Sequence, residues 1–432
     1  MLPLILALGA IALVLILILT VRLHAFLALL IASFAMGLAA GLAPAQVLKS
    51  IQAGFGDALG FISVVLGLGA MIGAYLEHSG GGIALADWLI ERFGRDKSAW
   101  AMMLAAFLVG MPIFFEVAFI ILVPLVYSLT REGKRSLVIY GMAMAAPLTV
   151  LHSLIPPHPA PAAAAQLLGT DLGHAILYGI LLSIPMTLAG GMFYGGWIGR
   201  RIDLPVPAAA VQPERAVSAP SPFTVIFLLV LPVLLILGAT LAPKNPFWVL
   251  AGHPFSALLI ALIAAMIMLG GMRGLSRDQV ANLAAKSLTP VGSLLLIMGA
   301  GGAFKQIIVD TGAGALAGKL LASTPVSPLL VAFLIAFGLR LAQGSATVAI
   351  ITGAGIMAPI VKVLPNYHPD AMYLALCCGG SALSHVNDAG FWLVNQYFGM
   401  TVPQTLRTWT AMKLVSAVVG IFLVFVFDAF YR

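Results

Sequence analysis

The sequence predicts an all-α polytopic membrane protein made of two inverted repeats of five crossings, each repeat holding a re-entrant hairpin and a broken helix. Three observations lead there. Of 432 residues, 61% are hydrophobic and 9% charged, whereas soluble proteins carry about 25% charged residues; such a chain could not cover its own surface in water. Long stretches, Leu2 to Thr20 and Leu23 to Leu48 among them, contain no Asp, Glu, Lys or Arg, and about 20 apolar residues cross the hydrocarbon core as a helix. Finally, the order of segments restarts near residue 223.

Residues 1–20 read as a first span rather than a signal peptide, because they lack a basic leader and a small-residue cleavage site. Further spans fall at 24–43, 58–76, 136–168 and 172–198, completing a first repeat at 1–199. A Pro- and Ala-rich stretch, 200–222, is the expected linker and should be cytoplasmic. The second repeat, 223–432, has spans at 223–242, 254–271, 287–309, 370–398 and 409–430. Between the third and fourth spans of each half lies a segment that is too long for one helix and too short for two crossings. Residues 98–130 carry a single charge, Glu116, and residues 327–361 a single charge, Arg340. A re-entrant hairpin fits both, with its non-helical tip facing a cavity. The spans at 136–168 and 370–398 are the broken helices, since Pro156-Pro157 and the Ser384–Gly390 run interrupt them.

The halves also match in sequence. Leu167-Leu168-Gly169 precedes Tyr397-Phe398-Gly399 by 230 residues, and His78-Ser79-Gly80-Gly81-Gly82 precedes Asp310-Thr311-Gly312-Ala313-Gly314 by 232. An odd number of crossings per repeat inserts the second copy upside down, the arrangement of secondary transporters with a site at the repeat interface. With both termini periplasmic, 14 Lys and Arg fall on the cytoplasmic side and five outside, as the positive-inside rule requires. The net charge of +7 is explained by those loops, so no nucleic-acid partner is expected. Cys377 and Cys378 are adjacent in an apolar segment, which suits neither a disulfide nor a metal site. The sequence holds no H-E-x-x-H, G-x-S-x-G or Walker A stretch, so neither a membrane enzyme nor a self-contained ATP-driven pump is expected.

Ionisable side chains at membrane depth are costly and usually mark a pathway. Glu116 follows the Gly110-Met111-Pro112 break; a low dielectric favours the neutral form of a lone carboxyl group, which suits a proton carrier. In Arg340-Leu341-Ala342-Gln343-Gly344-Ser345-Ala346-Thr347, Gly344 permits a tight turn, Ser345 and Thr347 can donate to a carboxylate, and Arg340 supplies charge and a bidentate fork. The two helix breaks add His152 and His158 in the first half and His385, Asn387 and Asp388 in the second. The expected substrate-binding set is therefore Arg340, Gly344, Ser345, Thr347, His158, His385 and Asn387, and the proton-coupling set Glu116, Asp388 and His152. Asp57, Lys305 and Asp310 are the other intramembrane charges, equally readable as caps or paired structural charges. Arg340 could also serve only to pair with Glu116.

These segments resemble the gluconate:proton symporter (gluconate permease) family of the wider ion-transporter superfamily. The resemblance rests on Gly54-Phe55-Gly56-Asp57, Pro112-Ile113-Phe114-Phe115-Glu116, Ile155-Pro156-Pro157-His158-Pro159, Gly302-Ala303-Phe304-Lys305-Gln306, the Arg340–Thr347 run and His385-Val386-Asn387-Asp388. Ala160 departs from it, standing where the family has Gly. The resemblance implies uptake of gluconate or a related sugar acid or hydroxy acid across a bacterial inner membrane, with the proton as coupling ion and no other cofactor. A homo-oligomer is compatible with it. Sodium-coupled carboxylate transport is the alternative, because Asn387, Ser345 and backbone carbonyls could coordinate Na⁺.

Overall fold

The computed structural model describes residues 2–133, 135–207, 219–242, 244–289, 291–323, 326–364, 368–385 and 388–431. The central part of the expected linker, 208–218, and the candidate Asn387 lie outside the described residues. Every regular element among the described residues is helical. The chain opens with α1 (Leu2–Leu19), α2 (Ala25–Ala39), α3 (Pro44–His78) and α4 (Gly81–Phe93). A first hairpin follows, α5 (Ser98–Val109) and α6 (Phe115–Gly133), and then a helix broken into α7 (Leu137–Leu154) and α8 (Pro159–Leu168). Next, α9 (Leu172–Thr187) runs through a π-helical stretch, Leu188–Tyr194, into α10 (Gly195–Gly199).

After the linker come α11 (Pro222–Leu241), α12 (Pro246–Ala251), α13 (Pro254–Ala265), α14 (Arg277–Ser287), α15 (Val291–Asp310) and α16 (Ala313–Ala322). The second hairpin is α17 (Pro328–Gln343) and α18 (Ala346–Val361); the second broken helix is α19 (Pro369–Ser381) and α20 (Ala389–Tyr397). The chain closes with α21 (Val402–Thr405), a π-helical turn, Leu406–Thr410, and α22 (Ala411–Tyr431).

Among the described residues, seven helices are long and apolar enough to cross a membrane. Ten spans are expected from the sequence; the apolar stretch of α1, Leu2–Ile18, and α2 (15 residues) are shorter, and the interrupted span at 370–398 is divided between α19 and α20. The third span is also longer than 58–76, because neither Lys49 nor the glycines at 54, 56 and 60 stop a helix: α3 runs for 35 residues. At 1.5 Å per residue it reaches about 52 Å, well beyond the hydrocarbon thickness of about 30 Å.

Exposure separates the lipid-facing elements from the core. Leu2, Ile5 and Leu8 of α1, Phe223 and Phe227 of α11, and Val418 and Phe422 of α22 are exposed apolar side chains. By contrast α7, α18 and α19 are buried along almost their whole length. Small residues allow this close packing. Gly191, Gly195 and Gly199 form a ridge at four-residue spacing along the π-helical stretch and α10, lying against α7. A Cβ at Gly195 would stand 2.6 Å from the Met142 Cβ, and one at Gly199 would stand 2.6 Å from Ile139 Cγ1.

Gly195→Val should therefore destabilise the detergent-solubilised protein by about 1–3 kcal/mol, the usual cost of overpacking. Gly196→Ala, whose Cβ meets nothing within 4 Å, should leave the melting temperature unchanged. Equal effects of the two substitutions would remove the ridge as a packing contact.

Candidate functional site

The two hairpin tips and the second helix break meet the start of the last long helix around a cavity of about 310 Å³. Phe115 and Glu116 reach it from the start of α6, Thr149 and His152 from the end of α7, and Arg340 from the end of α17. The Gly344–Thr347 tip, Asp388 to Gly390, Trp409 and Lys413 complete the wall. Three helix N-termini, those of α6, α18 and α20, therefore face one space. Each brings unpaired N–H groups and the positive end of a helix dipole.

The second tip is built by local rules. Gly344 ends α17 with φ 77°, a left-handed conformation open to glycine without a Cβ penalty. Ser345 then caps α18, accepting a hydrogen bond from Val348 N at 3.3 Å. Arg340, one turn before, donates to the Gly344 carbonyl and to the Asp388 carboxylate. Asp388 in turn caps α20, accepting from Gly390 N at 3.1 Å, and also accepts from Ser384 Oγ. Ser384 Oγ receives Trp409 Nε1–H at 2.7 Å, and Thr410 Oγ1 donates to the Ser384 carbonyl. One connected set of bonds thus ties the second hairpin, the second break and the π-helical turn of residues 406–410. Arg340 is 2% exposed, so its charge is tolerable only because Asp388 is beside it.

Arg340 thus has its carboxylate in Asp388, and not in Glu116 as the pairing alternative had it. Glu116 stands across the cavity, with no ion-pair partner within 4 Å among the described residues. The break histidines divide. His152 lines the cavity, and its Nδ1 is buried without a hydrogen-bond partner among the described residues. His158 and His385 do not line it: His158 Nε2–H donates to the Gly110 carbonyl at 2.8 Å, and His385 Nε2–H donates to the Leu341 carbonyl at 3.0 Å. Each thereby ties a helix break to the hairpin of its own half, because interrupted backbone leaves carbonyls that need donors. His158 packs behind His152, ring centroids 5.0 Å apart.

The remaining intramembrane charges lie away from the cavity, on the α3–α15 pair. Asp310 accepts from Ser50 Oγ at 2.5 Å and Gln306 Nε2 at 2.9 Å, pinning the two helices together. Lys305 lies within electrostatic reach of Asp57.

Sequence reasoning missed Lys413, Thr149 and Trp409. Lys413 is 3% exposed; its Nζ donates to Thr149 Oγ1 at 2.6 Å and lies 5.2 Å from the centre of the Trp409 ring. The test that selected Glu116 and Arg340 would have selected it as well, since it is the lone charge between Arg407 and Asp428.

Interrupted helices that enclose a charged cavity inside an apolar bundle define a membrane transport protein. Comparison with known proteins makes this specific: the sequence matches the GntP family of permeases over residues 2–430, and the chain belongs to that family. It is 42% identical to a gluconate permease of Pseudomonas aeruginosa over 93% of this chain and 92% of that one. It is 36% identical to the high-affinity gluconate transporter of Escherichia coli K12 (97% and 98% covered) and 37% identical to the Gnt-II system L-idonate transporter of the same strain (97% of each). The fold is similar to that of the Alcanivorax borkumensis YdaH transporter, with a TM-score of 0.70 at 16% identity, covering 94% of this chain and 98% of that one. The protein is a multi-pass permease, not an enzyme.

Asp388→Asn should strand the Arg340 charge and cost about 3–5 kcal/mol of stability, measured as a melting-temperature drop in detergent. Arg340→Gln combined with Asp388→Asn should recover most of that loss. A double variant no more stable than Asp388→Asn alone would show that the pair does not hold the two elements together.

Proposed function

We propose that this permease takes up gluconate or a related sugar acid by proton symport, binding the anion in the cavity lined by Arg340, Lys413 and the Gly344–Thr347 tip. The gluconate and L-idonate transporters among its relatives support the substrate class. The observation that carries the coupling is the charge inventory of the cavity: Arg340 and Lys413 face Glu116 and Asp388. At their formal charges the empty site sums to zero. A monovalent anion alone makes it −1 and a proton alone makes it +1, whereas both together restore zero. A net charge within the bilayer costs several kcal/mol, so the forms that reorient are the empty and the doubly loaded ones. Glu116 is the leading proton carrier because Asp388 is already held by Arg340 and Ser384. His152 is the remaining titratable side chain among the described residues that line the cavity.

Alternating access in this reading comes from two inverted repeats in the inner membrane, with both termini periplasmic. The element order supports it. A long helix, a short helix, a hairpin, a broken helix and a helix with a π-helical stretch run from α3 to α10, and the same order runs from α15 to α22. The contacts of His158 with Gly110 and of His385 with Leu341 correspond under displacements that agree to within four residues, for 341 − 110 = 231 and 385 − 158 = 227.

Two experiments test the proposal. In proteoliposomes an imposed inward proton gradient should drive accumulation of labelled gluconate, while a sodium gradient alone should not. Glu116→Gln should abolish that accumulation and spare exchange of internal for external substrate. Accumulation driven by sodium alone would overturn proton coupling, and wild-type accumulation by Glu116→Gln would move the proton to Asp388 or His152. For the topology, a cysteine at Lys244 should react with an impermeant thiol reagent in intact cells and one at Ser276 should not; the opposite pattern contradicts the orientation.

A further inference from the structure

The cavity holds two cations, and they are not equally available. Arg340 has given one terminal nitrogen to the Gly344 carbonyl and the other to Asp388. That commits two of its five N–H groups and meets its charge with the Asp388 carboxylate, and Nε–H is buried without a hydrogen-bond partner among the described residues. Lys413 is in the opposite condition. Among the described residues its one hydrogen bond goes to the neutral Thr149 hydroxyl, and no carboxylate lies within 4 Å. An ammonium carries three donors, so two remain for whatever fills the cavity. The side chain is held against the Trp409 ring, which favours a cation but does not neutralise it. A buried cation without a counter-ion is expensive, and here the space in front of it is the open cavity.

We propose that Lys413, rather than Arg340, is the cation that takes the carboxylate of the transported anion. This rests on the sugar-acid reading above and sets the orientation of the substrate. The carboxylate sits at the Thr149–His152–Trp409 end, and the polyol chain runs toward Ser345 and Thr347. Arg340 and Asp388 then shape the site as a closed pair, and Lys413 distinguishes an acid from its neutral counterpart. The competing account makes Lys413 a counter-charge for Glu116 across the cavity, with Arg340 opening toward the anion.

The deciding experiment compares binding of gluconate with that of its uncharged amide, gluconamide, to the detergent-solubilised permease by calorimetry. Wild-type protein should prefer gluconate by on the order of 100-fold, the scale of a desolvated charge pair. Lys413→Gln should erase that preference by weakening gluconate alone and leaving gluconamide affinity in place. Lys413→Arg should keep the preference. Arg340→Gln combined with Asp388→Asn, which removes the pair without leaving a lone charge, should weaken both ligands alike and preserve the ratio, as befits a pair that holds the site's shape. If Lys413→Gln fails to fold, Lys413→Met, apolar and of similar length, reads the same ratio. A preference that survives in Lys413→Gln or Lys413→Met but vanishes in the Arg340→Gln, Asp388→Asn double variant overturns the assignment. Wild-type protein that binds no gluconate overturns the sugar-acid reading itself.

Discussion

The Arg340–Asp388 ion pair is the contact on which the site depends. Helices interrupted inside an apolar bundle leave backbone donors and acceptors that no water can satisfy. Here two of the interruptions satisfy each other. Arg340 closes its own helix end at the Gly344 carbonyl and reaches across to the residue that caps α20. Ser384, Trp409 and Thr410 extend the set to the last long helix. Without the pair, a guanidinium and a carboxylate would each be stranded in low dielectric, and the tip and the break would lose their common anchor.

Three helix N-termini converge on the space this anchor defines, each turning the positive end of its dipole toward it. The adjoining side chains then balance in sign, two cations against two carboxylates. A site of this kind attracts anions through its backbone while its side chains stay neutral overall. That combination fits the proposal that an anion and a proton enter together, since either alone would leave a bare charge at membrane depth.

Much of this was legible in the sequence because the bilayer makes polar residues conspicuous. Glu116 and Arg340 stand alone in their apolar runs, and Pro156-Pro157 and the Ser384–Gly390 segment cannot continue a helix. Those features locate both hairpins and both breaks, and they bring Glu116, His152, Arg340, the Gly344–Thr347 tip and Asp388 to one cavity. Residues whose role depends on direction were not legible. His158 and His385 occupy breaks exactly as Asp388 does in sequence terms, yet both turn to backbone carbonyls of the hairpins. Lys413 carried a signal as the lone charge between Arg407 and Asp428, but not its direction. It sits just inside the last span, where a lysine ordinarily snorkels to the interface, and only the π-helical turn before it, with Trp409 and Thr149 alongside, directs it inward. The pairing of Arg340 with Asp388 rather than Glu116 likewise depends on three-dimensional proximity that spacing does not encode.

The central claim is that the cavity keeps its charge constant by taking anion and proton together. It is tested most directly by following proton uptake when gluconate binds to the purified permease in weak buffer at mildly alkaline pH. The account predicts roughly one proton bound per sugar acid, because the two ligands are thermodynamically linked, and loss of that uptake in Glu116→Gln. Saturating gluconate binding with no proton uptake in the wild-type protein would contradict it.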